Sequence, residues 1–178
     1  IFERIYSKNN SIKEYHKIVI NYSLCKVEEL SEIERTLVEK AKEATNTAYA
    51  KYSRFYVGAA LLLNNGVIVQ GSNQENAAFP SSLCAERTAI FAAQSQYPKE
   101  CVKIIAIAAR TDDKFLFNPI TPCGACRQVI LEVEDRYKTP IKVLLYGEKG
   151  GYCIDSIKDL LPFSFVDDNL NDKVESVK

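Results

Sequence analysis

The chain has one histidine, no methionine, no net charge, no repeated segment and no long apolar run. Each of these absences narrows the reading. No stretch approaches the ~20 apolar residues of a membrane span, and no signal-peptide pattern is present, so the expectation is a cytoplasmic protein with no membrane partner. Lysine plus arginine number 23 and aspartate plus glutamate also 23, and no basic block is interleaved with aromatics. The electrostatic footprint of a nucleic-acid binder is therefore missing, and a small substrate is expected. The lone histidine, His16, lies in a mixed charged and apolar leader, where such a residue is far more often on the surface than a ligand. It is assigned no role. Without repeats or low-complexity linkers, 178 residues make one domain. At that size folding buries roughly 70% of the surface of the unfolded chain, so a self-sufficient core is expected.

What the chain does have is cysteine: Cys25, Cys84, Cys101, Cys123, Cys126 and Cys153. A chain this large is not a disulfide scaffold, and in a reducing compartment its thiols are free to bind metal. Cys84-Ala85-Glu86-Arg87 places a soft ligand, a carboxylate and a permanent cation within four residues, where an apolar, helix-forming run begins. Pro122-Cys123-Gly124-Ala125-Cys126 supplies two more thiols. Three thiolates hold Zn²⁺ with one position open, the arrangement of a catalytic zinc, and Glu86 beside the open position would carry protons. This is the signature of zinc-dependent nucleobase deaminases, with Cys rather than His in first place.

Both segments fall at expected helix starts, where free N–H groups and the helix dipole favour thiolates. Three thiolates weaken the metal as a Lewis acid, and Arg87 is the residue placed to offset their charge. The bland alternative is a redox Cys-x-x-Cys or half of a structural zinc site, with Cys84 a small buried hydrophobe. A structural site would need a fourth cysteine nearby. Cys25, Cys101 and Cys153 lack paired spacing and are read as ordinary core or surface thiols.

Ser31 and Glu34 form a capping box, and Ile33, Leu37, Ala41, Ala44 and Ala48 then share one face, which predicts a helix over 32–49. The apolar run 57–63, Asn65-Gly66 and 67–71 predict a hairpin with a two-residue turn. Ser81 or Ser82 caps a helix starting near Cys84 and ending before Pro98. A strand is expected over 102–109, a long loop over 110–121, a helix from Pro122 to Tyr137, a strand over 141–146 and a short helix over 156–161. After Phe165 the chain is polar and is expected to be loosely ordered. A helix, a hairpin and then alternating helices and strands indicate an α/β fold, a mixed sheet covered on both faces.

The runs Ser53-Arg54-Phe55-Tyr56-Val57-Gly58-Ala59-Ala60-Leu61, Gly71-Ser72-Asn73-Gln74-Glu75-Asn76-Ala77, Cys84 to Ala89, Pro122 to Gln128 and Leu160-Leu161-Pro162-Phe163 together resemble the small homotetrameric cytidine deaminases, in the same order and over about 32–165. The resemblance implies a three-layer α/β/α sandwich, one Zn²⁺ per subunit on Cys84, Cys123 and Cys126, Glu86 as the catalytic proton carrier and Arg87 as a donor to the thiolates. It further implies that Phe55 lies against a pyrimidine ring, that Asn73 and Glu75 hold the ribose, and that the Ala85 N–H binds the base carbonyl. Phe165 would reach a neighbouring subunit's site. Phe79 stands where many relatives carry tyrosine, which removes any hydroxyl contact there. Residues 1–27 form a leader longer than the family's usual start, 28–166 the deaminase domain and 167–178 a tail. The implied reaction is deamination of cytidine and 2′-deoxycytidine in pyrimidine salvage. Another aminopyrimidine nucleoside such as blasticidin S, or a non-catalytic zinc module, is the alternative.

Overall fold

Along the central strands most residues are apolar, yet alternate residues serve two different layers. The computed structural model describes residues 4–6 and 12–166. The helix α1 is Glu32–Ala44, α2 is Ala85–Gln96 and α3 is Gly124–Tyr137. The strands are β1 (Arg4–Tyr6), β2 (Ile12–Glu14), β3 (Ser23–Cys25), β4 (Phe55–Leu63), β5 (Ile68–Ser72), β6 (Val102–Thr111), β7 (Lys114–Phe115), β8 (Lys142–Leu145) and β9 (Gly151–Ile154). Among the described residues β1 and β2 pair with each other, and the others form one sheet in the order β3-β9-β8-β6-β4-β5, with β7 folded back on β6. The β6–β8 pair is parallel and the remaining pairs antiparallel, so the sheet is mixed as expected.

Ala60, Ala106, Ala108 and Leu144 meet Leu37, Val38 and Ala41 of α1. On the other face Leu61, Leu63, Ile105, Ile107, Val143 and Leu145 meet Ala89, Ile90 and Ala93 of α2 and Ile130, Leu131 and Val133 of α3. The period-two alternation of a strand thus sends one set of side chains to each helix layer, which gives the three-layer α/β/α sandwich. The α1 side is lined by small residues, and the helix lies close. A Cβ built on Gly58 would stand 2.0 Å from the Ala41 carbonyl oxygen.

The capping box forms as read: the Ser31 amide and hydroxyl both donate to Glu34, at 2.9 and 2.7 Å. The helix stops five residues short of the expected end. Arg110 donates to the Thr45 hydroxyl and carbonyl, and the Thr45 and Thr47 hydroxyls donate back to Lys42 and Ala44, which tightens the chain into a 3-10 turn over Thr45–Thr47. The buried stripe is also rotated: Val38 belongs to it, while Ile33 is exposed. The hairpin turn is one residue longer than read, since Leu63 N–H donates to the Val67 carbonyl and Gly66, at φ 84°, takes the left-handed position. No serine caps α2; its N-cap is Cys84. The long loop contains the β6–β7 turn, made at Asp112 with φ 49°.

Five strands escape the sequence reading: β1, β2, β3, β7 and β9. β3 and β9 are three and four residues long, too short for a period to show, and exist because each finds a partner. Their pairing also corrects the reading of two thiols: Cys25 and Cys153 form a disulfide across 128 residues. Antiparallel pairing sets Ser23 opposite Cys153 and Cys25 opposite Gly151, which brings the two sulfurs together at the sheet edge. Cys101 remains a free, half-buried thiol. The polar tail expected at 167–178 lies outside the described residues.

Lys142 of β8 donates to Glu34 at 2.6 Å and ties the start of α1 to the sheet. Burial opposes ionisation of Glu34, but Lys142 and the two Ser31 donors outweigh it and hold the carboxyl down to about 2. A carboxylate with a depressed folded-state pKa contributes stability above its unfolded pKa and loses it as pH falls through the folded value. Lys142 is partly exposed, so the contribution at pH 7 is put at roughly 2 kcal/mol. Glu34→Gln is expected to lower Tm near neutrality by roughly 4–8 °C and to flatten the loss of stability between about pH 4.5 and 2. Thermal melts across that range check it, and an unchanged slope overturns it.

Candidate active site

The cysteines sit where two helices begin. Cys84 is the N-cap of α2, Cys123 the N-cap of α3, and Cys126 lies in the first turn of α3. Both N-caps have extended backbone, so each helix starts with unpaired N–H groups directed at this region. The three sulfurs lie within 4.8 Å of one another, and Cys84 Sγ is 3.9 Å from Cys123 Sγ. Tetrahedral Zn²⁺ with Zn–S of about 2.3 Å requires sulfurs about 3.8 Å apart, so the donor set fits. Cys126 is buried and Cys123 exposed, which leaves an open side. No other group of three or more such ligands occurs among the described residues.

Charge supports the same assignment. The neighbouring Cys126 thiol, with Arg87 and Cys123 and against the cost of burial, holds the Cys84 thiol down to about 5. Cys126 is pushed up by that interaction with Cys84 and by its burial. The protein alone therefore favours one thiolate of this pair, and a dication is what allows both to ionise. Arg87 Nη2 reaches Cys84 Sγ at 3.9 Å and the Ser82 carbonyl at 3.4 Å, while its buried Nε has no partner among the described residues. The guanidinium is held beside sulfur rather than beside a carboxylate.

Glu86, in the first turn of α2, is 4% exposed. Burial lifts its carboxyl above the ordinary range, and the nearby Cys84 charge adds to this, against its own backbone amide and Cys126. A carboxyl poised in this direction is suited to exchange protons. Ala85, fully buried, is the first residue of the same helix, so its N–H is one that the helix itself does not use.

The segment that carries Asn73 and Glu75 is attached directly to the cysteine loop. Gln74 and Leu83 exchange two backbone hydrogen bonds, 2.9 and 3.0 Å, which places this segment alongside Leu83-Cys84. Its side chains do more than face outward. Asn73 Oδ1 accepts from Val57 N–H at 2.8 Å and Nδ2 donates to the Phe55 carbonyl at 2.9 Å, so the amide clamps the start of β4. Glu75 accepts from the Tyr52 and Ser53 amides at 2.6 and 3.3 Å, and its carboxyl is lowered by bonds from Ser53 and Tyr52. Both residues thus set the position of Phe55, a role that sequence reasoning missed because the bonded positions are 16 to 23 residues away. Phe55 itself packs half-buried against the core. Arg54 beside it has φ 54°, a left-handed turn that swings the chain into β4.

Phe79 meets Tyr52 edge to face, centroids 5.7 Å apart. Phe165 lies elsewhere: its carbonyl accepts from Gln128 on α3 and its ring is 59% exposed.

A mixed sheet whose two helix N-termini converge three cysteines and a buried glutamate defines the class of zinc-dependent deaminases. Residues 31–139 match the family described as the cytidine and deoxycytidylate deaminase zinc-binding region, and the chain belongs to that family. It is 40% identical over 136 residues to the cytidine deaminase of Halalkalibacterium halodurans, covering 76% of this chain and 96% of that one. The crystal structure of cytidine deaminase from Burkholderia pseudomallei superimposes with TM-score 0.64 at 40% identity, over 76% of this chain and all of that one. A blasticidin-S deaminase of Bacillus cereus is 27% identical over 138 residues, covering 76% of this chain and 94% of that one.

Proposed function

We propose that this protein hydrolyses cytidine and 2′-deoxycytidine to uridine and 2′-deoxyuridine with release of ammonia, in pyrimidine salvage. The observation that carries the proposal is the buried Glu86 two residues from Cys84, beside three sulfurs spaced for zinc. Bound zinc supplies the positive charge that makes water acidic near neutral pH. Glu86 takes a proton from the water that adds to C4 and delivers it to ring N3, then takes the proton of the new C4 hydroxyl and passes it to the departing amine as the C4 carbonyl forms. Phe55, pinned by Asn73, offers its ring to the base, and the Ala85 N–H donates to the base carbonyl. Glu75 and the remaining Nδ2 hydrogen of Asn73 are available to the ribose hydroxyls. Glu75 would repel a 3′-phosphate, which favours free nucleosides.

We further read the protein as a homotetramer. Phe163 and Phe165 leave 97% and 59% of their surface open in one chain, in keeping with rings that complete a neighbouring subunit's site. Residues 28–166 are read as the deaminase domain. No described helix is long and apolar enough to cross a membrane.

Likeness to the blasticidin-S deaminase supports the runner-up substrate. A non-catalytic structural site is disfavoured because Cys25 and Cys153 are paired with each other and the free Cys101 does not join the three clustered sulfurs, so no fourth thiolate completes a cage. The deciding assay follows cytidine absorbance and zinc content on one sample, with blasticidin S in parallel. Turnover of cytidine with about one zinc per chain, lost on chelation, supports the proposal. Turnover of blasticidin S alone transfers the site to the second substrate, and zinc with neither turnover overturns both.

A further inference from the structure

Of the three cysteine ligands read above, Cys123 has the least support from its surroundings. Cys126 is buried within a helix, and Cys84 follows Leu83, which is bonded to Gln74 in both directions. Cys123 is exposed and follows a stretch without regular structure. One residue bonds both Cys123 and the two residues that lead into it. Arg127 N–H donates to the Cys123 carbonyl at 2.9 Å, the first hydrogen bond of α3. The same residue's side chain reaches back over the loop: Nε donates to the Pro122 carbonyl at 2.8 Å and Nη2 to Thr121 Oγ1 at 3.1 Å. Its third donor, Nη1, leaves the loop and meets the Leu160 carbonyl at 2.7 Å.

Leu160 ends the 3-10 turn Ile157–Leu160, and α3 grips the other end of that turn as well. Glu134, two turns along the helix from Arg127 and buried, accepts from Ser156 Oγ at 2.6 Å, Ile157 N–H at 3.2 Å and Ile141 N–H at 2.8 Å. Gln128 then donates to the Phe165 carbonyl at 2.8 Å. The chain that leads to Phe165 is therefore fastened to α3 at three points. The middle one, Arg127, is also fastened to the cysteine loop.

We infer that Arg127 is a positioning residue that locks the backbone of Cys123 to the C-terminal segment 160–165, so that the zinc-ligand loop and the segment ending in Phe165 hold their places together. The inference rests on the reading of Cys123 as a zinc ligand. The planar fork of arginine satisfies three acceptors in two segments at once, whereas a lysine ammonium on a flexible stem cannot span them. Freed of the fork, Thr121 and Pro122 regain conformational freedom, and the exposed sulfur of Cys123 is the ligand that leaves first.

The test is zinc release from purified protein into excess chromophoric chelator, comparing the parent with Arg127→Ala, Arg127→Lys and Thr121→Val. Release from Arg127→Ala and Arg127→Lys is expected to be roughly tenfold faster or more, the usual scale when a group supporting a metal ligand is lost. Thr121→Val, which removes one acceptor at an exposed position and leaves the other two bonds, is expected to release faster than the parent by a smaller factor. Parent-like release from Arg127→Lys, or from Arg127→Ala with an unchanged melt, overturns the role. If Arg127→Ala fails to fold, Arg127→Lys decides, since its release at the parent rate overturns the role. A parent that carries no zinc overturns the ligand reading along with the inference. A zinc-loaded parent with unaffected variants overturns only Arg127's part.

Discussion

Glu86→Gln is expected to keep its fold, its zinc and its affinity for cytidine while kcat falls by ~10²–10⁴-fold, the usual worth of a positioned general acid–base. Glutamine matches glutamate in shape, so a side chain that is 4% exposed is replaced without a cavity. It has no carboxyl proton to exchange with water, N3 or the leaving amine, which makes the loss one of transition-state stabilisation alone, about 3–5 kcal/mol. KM should change little. Steady-state kinetics with zinc content on the same sample decide the point, and a near-normal kcat would remove Glu86 from the mechanism.

The largest stability effect is expected from alanine at Gly58 or Gly71. A Cβ on Gly58 would lie 2.0 Å from the Ala41 carbonyl oxygen and 2.8 Å from the Thr45 nitrogen, and one on Gly71 would lie 2.4 Å from the Ala89 nitrogen and 2.7 Å from the Ala85 carbonyl oxygen. Each obstacle is helix backbone, which cannot turn aside as a flexible side chain would. Each substitution should cost about 3 kcal/mol or more, roughly 10 °C in Tm for a chain of this length. The two should differ in activity. Gly58→Ala pushes on α1, across the sheet from the cysteines. Gly71→Ala pushes on the helix that carries Ala85 and Glu86. Below its melting transition the first variant should therefore retain more turnover than the second. Tm values within 1–2 °C of the parent would mean that the helices yield more easily than packed backbone should.

The chemistry was legible in one dimension because its spacings are short. Cys84 and Glu86 are two residues apart, Cys123 and Cys126 three, and a carboxylate or thiol at a helix start carries its electrostatic consequence with it. The same holds for the Ser31–Glu34 capping box and for the apolar runs that become β4 and β6. Where a local rule met a longer-range partner, it lost. The α1 periodicity runs on to Tyr49, but Arg110 takes the Thr45 carbonyl and ends the helix at Ala44. The serines before α2 are good caps, yet the Ser82 hydroxyl accepts from Asn76 and the cap falls to Cys84.

By itself the sequence determined which residues can ionise, ligate zinc or carry a proton, and the alternation that divides the sheet between two helix layers. Only the tertiary structure decided which distant groups they meet: Cys25 with Cys153, Asn73 with Phe55 and Val57, and Arg127 with Leu160. The physical reason is range. Residue chemistry and helical or strand period act within a few positions, while a hydrogen bond or disulfide between remote segments exists only once sheet register and helix packing have brought them together.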